Sequence, residues 1–225
     1  MQRYVIIDTE TTGLNPAEDR VFEIAAVEVI GGKITGKEYH SYINPEKRLS
    51  DESKAICKID DDSFLLEHKK FADVIDDFLR FIADDAALVA HNVSFDINFI
   101  NAELRRCGRE EITGHHIVDT VRLAKYQDPK SSAKLDHVCN RVGVDISIRD
   151  REGHSAIIDC RLLSEVFCIV TANESDDYPL QFDKRKMDFQ GFTKRHDVLE
   201  DRKIVSNSKE ELELHNMMMK DILGD

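Results

Sequence analysis

The chain is short of positive charge. Its 225 residues carry 31 Lys and Arg against 44 Asp and Glu, a formal net charge of −13. Proteins that hold nucleic acid by its phosphates usually present a basic footprint, so strong sequence-independent affinity for duplex DNA is not expected. Long apolar runs are also missing: no stretch approaches a bilayer-spanning length of about 20 residues, and no membrane association is expected. A secretory leader is not expected either, because Met1-Gln2-Arg3 leads straight into Tyr4-Val5-Ile6-Ile7, which reads as a strand. The cysteines at 57, 107, 139, 160 and 168 are odd in number and form no CxxC pair. That argues against a disulfide framework or a structural zinc site and for a reducing cytoplasm. There is no internal repeat and no low-complexity tract. The length suits one well-buried domain plus an appendage.

What is present is acidic and clustered. Asp8-Thr9-Glu10-Thr11-Thr12-Gly13-Leu14, His91-Asn92-Val93-Ser94-Phe95-Asp96 and His154-Ser155-Ala156-Ile157-Ile158-Asp159 follow one another along the chain. Together they offer Asp8, Glu10, Asp96 and Asp159 plus His154. Four carboxylates and a histidine are the inventory for hydrolysing a phosphodiester with two divalent cations. Hard cations such as Mg²⁺ and Mn²⁺ prefer carboxylate oxygen. Two of them about 3.5–4 Å apart stabilise both the attacking and the leaving oxygen, and a neighbouring histidine can take the proton of the attacking water. The charge deficit then has two readings. Either the substrate is not nucleic acid, or cations neutralise the site and another protein holds the nucleic acid. The clusters favour the second.

Each cluster also has a plainer reading. Asp8 and Glu10 are two apart at the end of an apolar run, so on a strand both side chains share one face and Thr9 takes the other. Two adjacent carboxylates repel unless a cation lies between them; if the strand has already ended, both are merely solvated. Asp96 in the first turn of a helix suits the helix dipole whether or not it has a task. His91 reads equally as a satisfied strand-end histidine, with Asn92 or Ser94 as the helix cap. His154 and Asp159 are five apart, which on an ideal helix puts them on different sides. The pair works if His154 stands in the loop or at the helix start, where Gly153 gives the backbone freedom.

Residues 4–8 read as a buried central strand. Residues 21–30 and 34–43 flank Gly31-Gly32-Lys33 as a hairpin. Helical spacing over 71–83, a strand at 88–91, a helix over 95–107 ended by Gly108, a short strand at 117–118, helices over 121–126 and 135–142 (the latter ended by Gly143), and a long apolar helix over 154–172 complete the pattern. A hairpin followed by alternating strands and helices implies an α/β fold around a mixed sheet with the first strand central. Composition changes near residue 173. Residues 173–203 are charged and aperiodic, with aromatic islands at 178–182 and 189–192, and read as a linker. Ser208 and Glu211 then fit a capping box, ahead of a helix with Met217, Met218 and Met219 among its apolar residues. Such a Met-rich helix after a linker suits partner docking.

The three clusters, in this order, resemble the motifs of the DEDDh family of 3′→5′ exonucleases over residues 4–172. The resemblance implies an α/β, ribonuclease H-like three-layer fold with a central mixed five-stranded sheet, and an exonuclease domain over 1–172. It implies two Mg²⁺ or Mn²⁺ ions held by Asp8, Glu10, Asp96 and Asp159, with Asp8 bridging both, and His154 as general base. It also implies that Thr11, Thr12, Gly13, Leu14, Ile56, Cys57, His91, Asn92, Phe95 and His154 face the terminal nucleotide. Within that family the residues between the clusters resemble the epsilon (proofreading) subunits of bacterial DNA polymerase III: Phe64-Leu65-Leu66, Phe71-Ala72-Asp73-Val74, Val118-Asp119-Thr120 and Lys134-Leu135-Asp136-His137-Val138-Cys139. Val205, Glu210-Glu211-Leu212 and His215 match as well.

That branch implies frayed or single-stranded DNA 3′ ends as substrate. It also implies docking on the polymerase III catalytic (alpha) subunit through residues 204–225. A sliding clamp and a small accessory subunit are partners the resemblance leaves open; Tyr178-Pro179-Leu180-Gln181-Phe182 is a poor clamp motif. The chain departs from the branch in two places. Cys57-Lys58-Ile59 stands where His-Gly-Ile is usual, and Ser155 follows His154 in place of glycine. The serine is small enough to keep activity and suits a helix cap. The rivals are a free-standing exonuclease of the same family that trims RNA or DNA, and a non-catalytic scaffold. The scaffold would show a lost acidic position, and none is lost.

Overall fold

The computed structural model describes residues 2–83 and 85–172. The expected linker at 173–203 and docking helix at 204–225 lie outside the described residues. Five strands, β1 (Arg3–Thr11), β2 (Val21–Ile30), β3 (Lys33–Tyr42), β4 (Ala87–Ala90) and β5 (Ile117–Asp119), form one sheet in the order β3-β2-β1-β4-β5. The β1–β2 and β2–β3 pairs are antiparallel, and β1–β4 and β4–β5 are parallel. β1 is central, as its apolar run requires. Gly31 and Gly32 join β2 to β3 with φ of 58° and 72°, the two positive values a tight hairpin turn needs.

Seven helices complete the described part: α1 (Asp51–Cys57), α2 (Phe71–Ile82), α3 (Val93–Arg106), α4 (Thr120–Gln127), α5 (Leu135–Val142), α6 (Ser147–Glu152) and α7 (Ala156–Ala172), with a short 3₁₀ turn at Asp62–Glu67. α7 packs across β1, β2 and β3, and α5 packs on α7. The core on this face joins Ile6, Ala25, Val27, Val29 and Val89 of the strands to Ile158, Leu162, Leu163, Val166 and Phe167 of α7. α2 and α3 also pack on the sheet, where β1's other face offers Val5 and Ile7, both fully buried. Alternate residues of β1 therefore serve two layers of helix, and full burial of each large apolar side chain contributes about 1.5–3 kcal/mol.

Three differences from the sequence-based pattern bear on the site. β1 continues to Thr11, so Asp8 and Glu10 both lie on the strand and share a face. α7 begins at Ala156, which leaves His154 in the loop before it. Two short helices, α1 and α6, were not expected. α1 had a readable start, because Ser50 caps it by accepting from the Ser53 N–H. α6 reads Ser-Ile-Arg-Asp-Arg-Glu, too short and too charged for any periodicity.

Candidate active site

The site forms where β1 runs past the end of β4. The β1–β4 ladder stops at Ile6–Val89, so Asp8 and Glu10 project beyond it. β1 lies where the sheet changes from antiparallel to parallel pairing, the kind of crevice that gathers ligands in α/β sheets. Asp8 and Glu10 share the face of Ile6, which is the α7 face, and α7 delivers Asp159 in its first turn. Asp96 arrives from the first turn of α3. It is pinned by the residue between the two β1 carboxylates: the Thr9 hydroxyl donates to Asp96 Oδ1 at 2.8 Å. Thr9 on the opposite face thus has its own task.

These groups feel one another. Burial, and then the charges of Asp96, Asp159 and Glu10, push the Asp8 carboxyl well above its ordinary range. Burial followed by Asp159 and Glu23 does the same to Glu10. Burial pushes Asp96 up to about 7, against the pull of its bonds to Thr9. Carboxylates that raise one another's pKa in this way suit a bound cation. Asp159 Oδ1 adds a buried acceptor with no hydrogen-bond partner among the described residues. Ligand atoms of Glu10, His154 and Asp159 all lie within 4.8 Å of one another. Hard oxygen donors with one imidazole suit a divalent cation, so the donor set fits.

His154 stands between Gly153 and Ser155, with its backbone N–H donating to the Ile56 carbonyl at 3.1 Å. Gly153 has φ 81°, and a Cβ there would lie 2.8 Å from the Cys57 backbone carbon, so only glycine lets this loop close on the end of α1. Ile56 and Cys57 therefore line the site, and the Cys57 thiol donates to Glu10 Oε2 at 3.4 Å. Burial and then Glu10 push that thiol far up, so it acts as a neutral donor. Lys58, where glycine is usual, takes φ 52° as the left-handed C-cap of α1; its Nζ donates to the Asp150 carbonyl at 2.6 Å. Lys58 thus ties α1 to α6 and does not aim at the carboxylates. Ser155 does not cap α7 with its hydroxyl, which donates instead to Glu23 Oε1 at 2.7 Å.

The other expected residues divide. Thr11 and Thr12 are buried and build the loop: the Thr11 hydroxyl donates to the Gly13 carbonyl at 2.6 Å, and Thr12 Oγ1 accepts from the Arg20 N–H at 3.0 Å. A Cβ on Gly13 would meet the Asp19 carboxylate at 2.5 Å. Leu14 is 47% exposed and free to meet a ligand. Phe95 is half-buried against Phe99, with ring centroids 4.8 Å apart. Asn92 is the left-handed N-cap of α3, without a side-chain cap bond. His91 bonds Thr120 Oγ1 through Nδ1 at 2.9 Å, and burial lowers its pKa. It is the satisfied histidine of the plainer reading, at the rim of the site.

Two residues were missed from the sequence. Glu23, only 2% exposed, faces Glu10 across the β1–β2 ladder and bonds His40 Nε2 at 2.8 Å. The antiparallel register was the signal, and it needs the pairing to be known. Arg149 of α6 donates from Nη2 to both Asp159 Oδ2 and His154 Nδ1, each at 2.7 Å, and from Nη1 to Asp136. Nothing in the local sequence marked it.

Residues 5–167 match the family described as Exonuclease. The chain belongs to that family. A DNA polymerase III subunit epsilon of Buchnera aphidicola subsp. Schizaphis graminum (strain Sg) is 33% identical over 97% of this chain and 96% of its own length. The subunit of the same name in Rickettsia typhi (strain ATCC VR-144 / Wilmington) is 36% identical over 98% and 97%. Among solved structures, Exonuclease I in its apo form superposes with a TM-score of 0.64 at 17% identity, over 76% of this chain and 42% of that one. That likeness concerns the fold, which is ribonuclease H-like, and this chain spans about two-fifths of that protein. Family membership and the epsilon relatives make the chain a 3′→5′ proofreading exonuclease. Exonucleases with this acidic cluster work with divalent cations, and the donor set here fits them. Among the described residues no helix is long and apolar enough to cross a membrane.

Proposed function

We propose that this exonuclease acts on frayed or mispaired DNA 3′ ends as the epsilon subunit of a bacterial DNA polymerase III in the cytoplasm, with two Mg²⁺ or Mn²⁺ ions at its site. The observation that carries the reading is that Glu10, His154 and Asp159 bring ligand atoms within 4.8 Å of one another, with Asp159 Oδ1 left unpaired and Asp8 feeling the charges of Asp96, Asp159 and Glu10. Asp8, Glu10 and Asp159 would hold the cations directly and Asp96, pinned by Thr9, would complete the second position. Bound there, the cations supply positive charge to the scissile phosphate and its leaving oxygen.

The chain's own residues do the rest. His154, 37% exposed through its side chain, takes the proton from the attacking water, and a nucleoside 5′-monophosphate leaves. Thr11 to Leu14 and Phe95 flank the terminal nucleotide, with Ile56, Cys57, His91 and Asn92 around them. A mispaired end unstacks at lower cost than a paired one, so selectivity needs no contact to particular base edges. The polymerase supplies the DNA affinity that a net charge of −13 does not.

Residues 1–172 are the catalytic domain in this reading, 173–203 a linker and 204–225 the segment that docks on the alpha subunit. The test is to assay full-length Asp8→Ala and Asp159→Ala on 5′-labelled single-stranded DNA, with co-elution against the alpha subunit for the full chain and for a form ending at Ala172. Loss of cleavage in both variants, each still folded at the assay temperature, and co-elution of the full chain only, are expected. Near-normal cleavage by either variant removes the metal-site assignment, and equal co-elution of the shortened form removes the docking assignment.

A further inference from the structure

Arg149 occupies the place where the active site needs room. Its side chain is 8% exposed, and one nitrogen, Nη2, donates to both Asp159 Oδ2 and His154 Nδ1 at 2.7 Å. A guanidinium has only donors to offer, so His154 Nδ1 must be the acceptor in that contact. A neutral imidazole has one acceptor nitrogen. In this arrangement it is spent on Arg149, Nε2 carries the proton, and His154 has no lone pair left for a water proton. The same Arg149 nitrogen spends one oxygen of Asp159, a member of the set that can jointly hold a cation.

We infer that Arg149 is a positioning residue that latches the cation-free site, standing in as the counter-cation of Asp159 and the blocker of His154, and that cation loading exchanges it out. The inference rests on the metal-site reading above.

Three features of the surroundings support an exchange over a fixed structural pair. Arg149 Nε is buried with no hydrogen-bond partner among the described residues, and so is Asp159 Oδ1; a permanent buried ion pair satisfies its remaining donors and acceptors. Arg149 Nη1 is held by Asp136, whose side chain is 45% exposed, so the guanidinium has an anchor on the solvent side to move toward. Meanwhile the backbone that carries Arg149 is fixed. Lys58 Nζ holds the Asp150 carbonyl at 2.6 Å, and Gly153 abuts Cys57 without room for a Cβ. The side chain can leave while α6 and His154 stay. A site populated mainly in the latched state has its cation affinity lowered by the fraction that is open.

The test uses the full-length protein stripped of metal, with Mg²⁺ as the probe. The readouts are calorimetric Mg²⁺ affinity of wild type, Arg149→Gln and Arg149→Lys, and the ¹⁵N imidazole signature of His154. In cation-free wild type the Nε2–H tautomer is expected, released on adding Mg²⁺. Arg149→Gln is expected to bind Mg²⁺ about tenfold more tightly and to lack the fixed tautomer, with Arg149→Lys between. Mg²⁺ affinity unchanged or weakened in Arg149→Gln overturns the latch, as does a wild-type His154 tautomer that Mg²⁺ leaves alone; the second readout needs no variant to fold. Wild type that binds no Mg²⁺ overturns the metal-site reading itself.

Discussion

Two of the buried arginine–carboxylate pairs among the described residues, Arg20–Glu103 and Arg149–Asp159, differ in how completely they are satisfied. Arg20 grips Glu103 through two parallel bonds, 2.7 and 3.0 Å long. Glu103 has no exposed side-chain surface and takes a third bond from the Val21 N–H at 3.2 Å. Nothing is left over, and the pair fastens α3 to the start of β2. Arg149 and Asp159 make one bond where two were available, share it with His154, and leave an Nε and an Oδ1 unpaired. The first is a clasp and the second an unfinished site. Burial and charge are similar in both; the count of unspent donors and acceptors separates structure from function.

That comparison can be broken by substitution. The largest effect is expected at the unfinished site. Asp8→Asn or Asp159→Asn should cut hydrolysis by about 10³-fold or more, because charge preorganised for the transition state is removed; thermal unfolding should stay near wild type or rise in Asp8→Asn and fall in Asp159→Asn, which strands the buried Arg149. A single-turnover assay with a parallel melting curve checks both. His154→Ala should cost about 10²–10⁴-fold, the usual share of a general base. The pH–rate profile of the variant should then lose the limb that reports the base.

The clasp should show the reverse pattern. Glu103→Ala strands a largely buried Arg20 and should lower stability by about 3–5 kcal/mol, read by denaturant unfolding. Activity per folded molecule should hardly change. A strong activity loss in a fully folded Glu103→Ala protein would erase the distinction between the two pairs.

The smallest effect sharpens the electrostatics. Asp96 is raised to about 7 by its burial, above its unfolded value of about 3.9. The folded state therefore holds the proton more tightly between those values. The stability this group contributes is full below about pH 4 and is lost as pH rises through about 7. Asp19, Glu28 and Asp62, held low by Lys47, Arg3 and Arg48 among their partners, act the other way at acid pH. The difference between wild type and Asp96→Asn isolates the term. Cation-free wild type should lose melting temperature relative to Asp96→Asn between pH 4 and 7, and Mg²⁺ should recover it. Parallel curves for the two proteins would show that Asp96 is ionised throughout.

Much of the site was readable because its residues sit on elements with strong periodicity. The two-residue spacing of Asp8 and Glu10 on an apolar strand gives one shared face, and the structure extends β1 through both. Asp96 and Asp159 each lie in the first turn of a helix, although neither Asn92 nor the Ser155 hydroxyl makes the expected cap bond. The unread part depends on tertiary register. Glu23 looks like one of two charges, with Glu28, in an otherwise hydrophobic β2 until the ladder sets it opposite Glu10. Arg149 belongs to a helix of six residues with no apolar stripe, and its partners come from α5, the loop before α7 and α7 itself. Lys58, which stands where the branch has glycine, serves as a left-handed cap and a tie to Asp150.

The most direct test of the central claim follows a 5′-labelled single strand incubated with the full-length protein and Mg²⁺, against EDTA and against Asp8→Ala. The account predicts stepwise shortening from the 3′ end with release of 5′-monophosphates, stopped by EDTA and absent in the folded variant. Shortening that survives EDTA, or that Asp8→Ala performs at the wild-type rate, would contradict it.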